Sequence, residues 1–453
     1  MNSCLRILAF PLLALLCFCG AAWSASPWQA TASATPQVER QQTSNTQSNS
    51  APERYELPPR KRAEAEAYSR TQYALYFSGV ALSLLIYFVL WRLKIGVVFR
   101  EWARRVSRRH FLQCLVFVPL FLVCVRLLLF PFDFYSDYVV EHRFGLMTQD
   151  FASWMADWGK SLLLFIVAGV VIVWIFYVIV RRSPGRWWFY FWASTLPITL
   201  FVVFIEPFVV EPLFYKFTPL EATRPALVTQ IERMLQRADL RIPPSRIFEM
   251  DASSKTNTIN AYVSGLGASK RVVVWDTTLK KLSDDETLIV LGHEIGHYVL
   301  HHVIKEFVLV ELVALVFIGL GFVLVRGLIR RYGNRTGLLG EGDLASLPLM
   351  LFVLTILTFL SSPVVNGISR HYEHQADQFA IEVTYGVVPH PNTAGAWAFQ
   401  ILGEQDLADP DPGPFIVFWL YSHPPISQRI RFVLNYRPWA QGRPMKFIHA
   451  GKS

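Results

Sequence analysis

Six long apolar runs constrain the fold of this chain more than any other feature. Each run is long enough to cross about 30 Å of hydrocarbon as an α-helix that rises about 1.5 Å per residue. The runs are Tyr73–Trp91, Phe111–Phe130, Leu162–Val180, Trp187–Val210, Val303–Val325 and Leu347–Val365. Charged residues make up 17% of the 453 residues, against roughly 25% in a soluble domain. The sequence therefore predicts a multi-pass integral membrane protein.

The N-terminus carries a seventh apolar stretch. Ile7–Ala22 follows a single basic residue, Arg6, and leads into the small-residue sequence Ala22-Trp23-Ser24. This pattern predicts either a secretory signal peptide cleaved before Ala25 or a retained first transmembrane helix. The polar residues that follow contain too few apolar side chains to build a core, which predicts a largely disordered tail.

The charge of the loops predicts the orientation of the spans. Lys and Arg residues cluster between the first and second spans, the third and fourth, and the fifth and sixth. They are Arg92, Lys94, Arg100, Arg104, Arg105, Arg108, Arg109, Arg181, Arg182, Arg186, Arg326, Arg330, Arg331 and Arg335. By the positive-inside rule these three loops face the cytoplasm, so the main polar blocks face the other side. Orientation accounts for the uneven charge, and we expect no nucleic-acid partner.

The polar block between the fourth and fifth spans has the pattern of a small α/β module. Pro225–Ala238 has the apolar spacing of a helix, and Arg246–Met250 has the composition of a short strand. Asn257–Val263 and Arg271–Trp275 are apolar or β-branched runs separated by Gly and Ser residues, which predicts a hairpin. The sequence Ser283-Asp284-Asp285-Glu286 is a capping box, so a helix is predicted to begin there.

That helix carries His293, Glu294 and His297. Residues four positions apart on a helix share a face, so both imidazoles can bind one metal ion while the carboxylate stands beside it. A catalytic zinc site needs three protein ligands and an open position for water, whose pKa the metal lowers to about 7. Glu294 is therefore the predicted base. His301, at the end of the helix, is predicted to cap backbone carbonyls.

The polar sequence after the sixth span supplies a third ligand. Glu373 and Asp377 lie four residues apart in a segment of helical character, so they share a face. Glu373 can complete the metal site, and Asp377 can orient a ligating imidazole. His371 and His374 are alternative ligands on this evidence. All five cysteines lie in apolar segments, which excludes a Cys-ligated site in the polar blocks.

Several blocks of the chain, in order, resemble the CAAX prenyl protease type 1 family, whose members are integral-membrane zinc endopeptidases that trim prenylated C-termini. Leu291–His302 is similar to the zinc helix of the family. Ser369–Ala380 is similar to its Ser-Arg-x-x-Glu-x-x-Ala-Asp-x-Phe-Ala signature. The other matching blocks are Asn260–Tyr262, Lys270–Thr277, Pro212–Leu220 and Ser422–Pro425 with Arg429. The resemblance runs from about Tyr55 to Arg431.

The resemblance implies the fold class and the metal site. The fold would be mainly α, a multi-pass transmembrane helical barrel that encloses a chamber, with a small α/β zinc-peptidase module. Members of the family have seven spans, and the barrel of this chain would have six if Ile7–Ala22 is removed. A single zinc ion would be held by His293, His297 and Glu373. Glu294 and Asp377 would be the catalytic residues, the first as base and the second as support for a ligand.

The resemblance also implies how a peptide is bound. Asn260, Ala261 and Tyr262 would form an edge strand that reads an extended peptide through backbone hydrogen bonds. His423 and Arg429 would bind the peptide carbonyl or stabilise the oxyanion that develops on it.

These patterns divide the chain into six parts. They are a signal peptide or first transmembrane helix (1–25), a polar, largely disordered tail (26–65), an N-terminal transmembrane bundle of about four spans (66–210), a zinc-peptidase module (211–302), the last two transmembrane helices (303–365) and a C-terminal part of the catalytic domain with the third zinc ligand (366–453).

We therefore expect a membrane-embedded zinc metalloendopeptidase in the cell (inner) membrane, with a peptide or protein substrate that is lipid-modified or membrane-associated. Family members face the cytosol, whereas the basic loops place this metal site on the other side. That difference favours protein processing or quality control over a prenylated cytosolic substrate. The alternative is a catalytically idle scaffold or receptor that keeps the protease fold, and the intact Glu294 argues against it. A transporter would need a repeated pattern of ionisable residues within the spans, which the sequence lacks.

Overall fold

The computed structural model describes residues 51–265 and 270–448. The candidate signal peptide and residues 26–50 of the polar tail lie outside the described residues. The helices are α1 (Pro59–Arg92), α2 (Ile95–Val106), α3 (His110–Arg143), α4 (Phe151–Arg182), α5 (Trp187–Phe214), α6 (Pro225–Arg237), α7 (Asp276–Lys281), α8 (Asp284–Val299), α9 (His302–Thr336), α10 (Leu347–Thr384), α11 (Pro391–Gln405), α12 (Pro414–Leu420) and α13 (Ile426–Asn435).

Within the described residues, six helices are long and apolar enough to cross a membrane: α1, α3, α4, α5, α9 and α10. Each contains one of the six apolar runs of the sequence and extends beyond it. Two of these helices include π-helical stretches, Phe134–Val140 in α3 and Glu206–Val210 in α5. The multi-pass membrane architecture predicted from run length is therefore confirmed.

α3, the second of the six spans, shows how the spans are packed. Its buried side chains recur every three or four residues: Cys114, Phe117, Val118, Phe121, Leu122 and Val125. Leu115 and Leu127, on its other faces, are exposed. A helix that is apolar on all sides is stable where lipid rather than water surrounds it.

A small mixed sheet follows the first four spans. Its strands are β1 (Phe217–Pro219), β2 (Ile247–Met250), β3 (Ala261–Ser264) and β4 (Arg271–Trp275). Their order is β1-β2-β4-β3, with β2 parallel to β4 and the other neighbours antiparallel. The predicted hairpin is β3 and β4, with Tyr262 opposite Val273, and β3 lies at an edge of the sheet. The fold is mainly α with a small α/β module, as predicted.

The described end of the predicted tail, residues 51–65, includes a buried side chain and the start of α1. Tyr55 is buried against Gly403, where an added Cβ atom would lie 2.7 Å from the tyrosine ring. The side chain of Gln400 donates to the carbonyl of Glu56 at 2.6 Å and accepts from its N–H at 3.3 Å. α1 then begins at Pro59, a favourable first residue for a helix. The partners of Tyr55 and Glu56 lie on α11, far along the chain, so the composition of the segment gave no indication of these contacts.

Candidate metal centre

α8 begins at the predicted capping box. The hydroxyl of Ser283 accepts a hydrogen bond from the N–H of Glu286 at 3.3 Å, and the Glu286 carboxylate accepts one from the N–H of Ser283 at 2.7 Å. Acidic side chains in the first turn also suit the positive end of the helix dipole. The later turns of the helix are buried, and His293, Glu294 and His297 are buried with them.

Two glycines allow α8 to approach α10 closely. An added Cβ atom at Gly296 would lie 3.1 Å from the Phe379 side chain, and one at Gly292 would lie 3.1 Å from Val383. Larger side chains would push the helices apart at both points. Because each glycine immediately precedes one of the two histidines, the close approach also brings both imidazoles near α10.

Three side chains converge between these helices. Among the described residues, His293, His297 and Glu373 offer ligand atoms that all lie within 4.8 Å of one another. Nε2 of His293 lies 3.2 Å from Nε2 of His297 and 3.2 Å from Oε2 of Glu373. Nε2 of His297 lies 3.7 Å from Oε1 of Glu373. All three residues are buried.

This donor set fits a divalent metal. Two imidazole nitrogens and one carboxylate are a ligand set that zinc takes in hydrolytic sites. Within the described part of the chain, Oε2 of Glu373 is buried and accepts no hydrogen bond, although nitrogens of His293 and His423 lie 3.2 Å away. The nitrogens and the oxygen therefore face a common point, as the ligands of one ion do.

The second nitrogen of His293 faces a buried ion pair. Nδ1 of His293 lies 2.8 Å from Oδ1 of Asp377, and Arg429 donates to both oxygens of that carboxylate, at 2.6 and 3.0 Å. Burial alone would lower the pKa of His293, but the carboxylates of Asp377 and Glu373 raise it to about 9. The position of the Asp377 carboxylate favours a proton on Nδ1 of His293, so Nε2 is the nitrogen that can bind a metal once it is deprotonated.

Arg429 is placed differently from the expectation that it binds substrate. Its guanidinium is buried, lies 4.0 Å from the centroid of the Phe399 ring and forms a bidentate pair with Asp377. Burial would lower the pKa of Arg429, but Asp377 raises it. These contacts give Arg429 a role in supporting Asp377, and the substrate-binding role stays a prediction.

The second nitrogen of His297 faces two hydrogen-bonded neutral side chains, those of His302 and Gln375, to which the sequence analysis gave no role. Nδ1 of His302 lies 3.3 Å from Nδ1 of His297, and Nε2 of His302 lies 3.0 Å from Oε1 of Gln375. His302 is fully buried and stacks on Tyr372 at 4.7 Å. The backbone turns at His301, which has a φ of +56°, and this turn brings His302 back beside His297. His302 ends the block Leu291–His302 that resembles the zinc helix of the family, but the sequence gave it no role of its own.

Glu294 and His423 lie beside the same cluster. Burial raises the pKa of the Glu294 carboxyl, while the imidazoles of His293 and His297 oppose that shift. Nε2 of His423 lies 3.2 Å from Oε2 of Glu373, and its Nδ1 lies 2.9 Å from the hydroxyl of Ser422. The His423 side chain is 20% exposed, so it is the member of this group most open to a substrate.

The alternative ligands lie elsewhere. His371 is exposed and pairs with the amide of Gln375 at 2.8 Å. His374 packs against Phe432, with ring centroids 4.2 Å apart. Neither belongs to the three-residue cluster found in the described residues. The geometry therefore favours Glu373 over both histidines.

The side chains of the predicted substrate strand point into the protein. Ala261 and Tyr262 are buried, and the hydroxyl of Tyr262 donates to Glu211 at 2.8 Å. The N–H and the carbonyl of Asn260 both bond the hydroxyl of Thr278, at 2.7 Å each. A peptide could therefore use the backbone at the edge of β3, but not the Ala261 or Tyr262 side chains.

Comparisons with known proteins identify the family. A family profile for peptidase family M48 matches residues 221–437, and a profile for the CAAX prenyl protease N-terminal region of five membrane helices matches residues 41–216. The uncharacterized metalloprotease YhfN of Bacillus subtilis is 35% identical over 382 residues, which cover 83% of this chain and 86% of the relative. The chain belongs to peptidase family M48.

Other M48 relatives are CAAX prenyl proteases. The CAAX prenyl protease 1 homolog of Arabidopsis thaliana is 32% identical over 307 residues, which cover 67% of this chain and 69% of the relative. The crystal structure of Ste24p from S. mikatae superposes with a TM-score of 0.71 at 24% identity, over 96% of this chain and all of that one. The resemblance to the CAAX prenyl protease type 1 family is confirmed, and the fold is shared.

Membership of family M48 establishes the general activity. The chain is a multi-pass membrane metallopeptidase, and its substrates are peptides or proteins. The family implies a metal, and His293, His297 and Glu373 are the described side chains placed to hold it.

Proposed function

We propose that this M48 metallopeptidase is a zinc-dependent endopeptidase that hydrolyses peptide bonds of membrane-associated proteins. The observation that carries the proposal is the convergence of His293 and His297 with Glu373, beside a buried Glu294. Zinc, when bound by these residues, supplies a Lewis acid that polarises the scissile carbonyl and makes water a stronger nucleophile.

The remaining polar residues have roles that follow from their contacts. Glu294 takes the proton of the attacking water and later delivers it to the leaving amine, which is general acid–base chemistry. His423, the most exposed of the group, donates to the carbonyl oxygen as negative charge develops there.

Each imidazole ligand has its own positioning group. Asp377, held by Arg429, orients His293, and His302, held by Gln375, orients His297. Such partners fix the tautomer and the direction of a ligating imidazole.

The peptide lies along the outer edge of β3, where its backbone pairs with strand backbone groups that do not bond β4; the N–H and carbonyl of Asn260, which bond Thr278, are not among them. Edge-strand addition reads an extended backbone rather than side-chain identity, which suits a peptidase of broad specificity. The distribution of basic residues favours an orientation with this site on the side of the cell membrane away from the cytoplasm. We therefore favour processing or quality control of membrane proteins over trimming of prenylated cytosolic proteins. In this proposal, residues 211–302 and 366–453 together form the catalytic part of the chain.

The competing proposal is a catalytically idle scaffold that keeps the protease fold. Retention of Glu294 beside an intact ligand set argues against it, because a scaffold has no use for a buried base. Peptide cleavage in proteoliposomes decides between the two, with the purified chain compared with its Glu294→Gln form and zinc content measured for each. Glu221→Gln, an exposed carboxylate distant from the cluster, is the matched control.

The expected result is a loss of turnover of about 10²- to 10⁴-fold in the Glu294→Gln form, with zinc retained and the control unchanged. Equal turnover by all three proteins would overturn the proposed mechanism. No turnover in any of them, with zinc bound, would favour the scaffold.

A further inference from the structure

α2 lies at the end of the spans opposite the metal centre. It connects α1 to α3, and Arg100 within it donates to the carbonyl of Gly337 at 3.2 Å and pairs with Asp343. Both partners belong to the loop between α9 and α10. The ends of those two helices near the metal centre are the start of α9, with His302, and the last third of α10, with Glu373, so α2 contacts their far ends.

One face of α2 is buried against the protein, and another face exposes apolar side chains. Gly96, Arg100 and Ala103 are buried against the protein. Val98, Trp102 and Val106 recur every four residues on the other face and are 42%, 47% and 67% exposed. We call these three side chains the apolar stripe. At about 100° per residue, the mean direction of the stripe lies roughly 130° from that of the buried face.

Short connections hold α2 at the membrane boundary. α1 ends two residues before α2 begins, and α3 begins after a linker of residues 107–109. Two or three residues span about 10 Å at most, so the helix cannot move away from the ends of the two spans. The exposed apolar stripe therefore adjoins the bilayer that surrounds those spans, at the depth where Trp is enriched.

The charges around the stripe suit anionic lipid. Arg105, Arg108 and Arg109 are exposed, and they have no carboxylate partner among the residues that the structure describes. The connecting segments at this end, residues 92–110, 181–186 and 326–343, contain fourteen Lys or Arg residues and three acidic ones. Two of the acidic residues, Asp343 and Glu341, are already paired with Arg100 and Arg326. This face therefore carries a large excess of positive charge.

We propose that α2 is an interfacial helix that inserts the apolar stripe into the leaflet opposite the metal centre and binds anionic phospholipid headgroups through its exposed arginines. An amphipathic helix with Trp on one face and basic residues beside it has the composition that binds such a surface. The bilayer is favoured over a soluble protein partner because the adjoining ends of the two spans also expose large apolar side chains, among them Leu93, Phe111 and Leu112.

Spin-label accessibility tests the insertion. The five native cysteines are replaced by alanine, and a nitroxide is attached at Val98→Cys, Trp102→Cys or Arg104→Cys in the full chain reconstituted in phosphatidylcholine–phosphatidylglycerol vesicles. At positions 98 and 102 we expect more collisions with oxygen than with a water-soluble nickel chelate, and the reverse at position 104. Equal nickel accessibility at all three positions would overturn the insertion, and it is also the result that a protein-docking stripe would give without its partner.

Lipid selectivity tests the headgroup part. The unaltered chain, Arg105→Gln/Arg109→Gln and the control Arg233→Gln/Arg241→Gln are purified from mixed phosphatidylcholine and phosphatidylglycerol nanodiscs, and bound lipid is counted by native mass spectrometry. The control removes the same charge from exposed positions on the metal side. We expect phosphatidylglycerol enrichment to fall about fivefold for each α2 arginine removed, and to be unchanged in the control. Unchanged enrichment in the α2 variant, or an equal loss in the control, would overturn specific headgroup binding.

Discussion

Oδ1 of Asp377 lies 2.8 Å from Nδ1 of His293, although the two residues are 84 positions apart in the chain. This contact gives the two imidazoles of the cluster different supports. His293 faces a carboxylate that is paired with Arg429, whereas His297 faces the neutral side chain of His302. The first support supplies negative charge, and the second supplies only a hydrogen-bond acceptor.

Removing Arg429 leaves Asp377 as a buried, uncompensated charge. We expect Arg429→Ala to lower the free energy of unfolding by about 3–5 kcal/mol. Denaturant unfolding in mixed micelles measures the change. Arg431→Ala, on the same helix but exposed and outside the ion pair, is the matched control and should change stability by less than about 0.5 kcal/mol.

The ion pair also has a role that stability does not report. Arg429→Lys keeps the charge but loses the bidentate geometry, so we expect a smaller loss of stability together with weaker metal binding. Chelator competition measures the affinity. An Arg429→Lys form that binds zinc as tightly as the unaltered chain would show that the geometry of the pair does not matter for His293.

Removing His302 takes away the acceptor of the Nδ1 proton of His297. We expect His302→Ala to weaken zinc binding by about 10- to 100-fold, as loss of a partner to a ligating imidazole does, and Gln375→Met to weaken it less. The dissociation rate of zinc in the presence of a chelator is the measurement. The control is His301→Asn, because asparagine tolerates the left-handed backbone at that position. A His302→Ala form with unchanged dissociation would refute the positioning role.

A methyl group at Gly296 would clash with Phe379 on α10. We expect Gly296→Ala to cost about 1–3 kcal/mol through overpacking and to weaken zinc binding, because Glu373 lies on the helix that is displaced. Gly327→Ala is the control, since an added Cβ atom there meets nothing within 4 Å. Thermal unfolding with and without added zinc separates the two effects. Equal behaviour of both variants would mean that the close approach of α8 and α10 does not position the ligands.

Local patterns in the sequence predicted the parts of the fold that depend on local physics. Run length predicted six spans, and the capping box at Ser283 predicted the start of α8. The spacing of four residues between His293 and His297 predicted that they share a face of one helix. The same spacing between Glu373 and Asp377 predicted that these two share a face of α10. These features depend on residues within about one or two helical turns of each other, so sequence patterns are sufficient to find them.

Features that depend on distant partners were not predictable in the same way. Tyr55 is ordered because Gly403 leaves space for its ring, and no pattern near Tyr55 indicates that. The bidentate pair of Arg429 with Asp377 joins α13 to α10 across 52 positions of the chain, and no pattern near Arg429 indicates that partner. His302 was missed since its partner His297 lies across a chain reversal between two helices.

The most direct test of the metal centre is the zinc content per chain in the unaltered protein and in the Glu373→Gln and Glu294→Gln forms, each purified in the same buffer. If His293, His297 and Glu373 hold a single ion, the unaltered protein and the Glu294→Gln form should contain equal, stoichiometric zinc, and the Glu373→Gln form should be strongly depleted. Zinc content in the Glu373→Gln form equal to that of the unaltered protein would contradict the account.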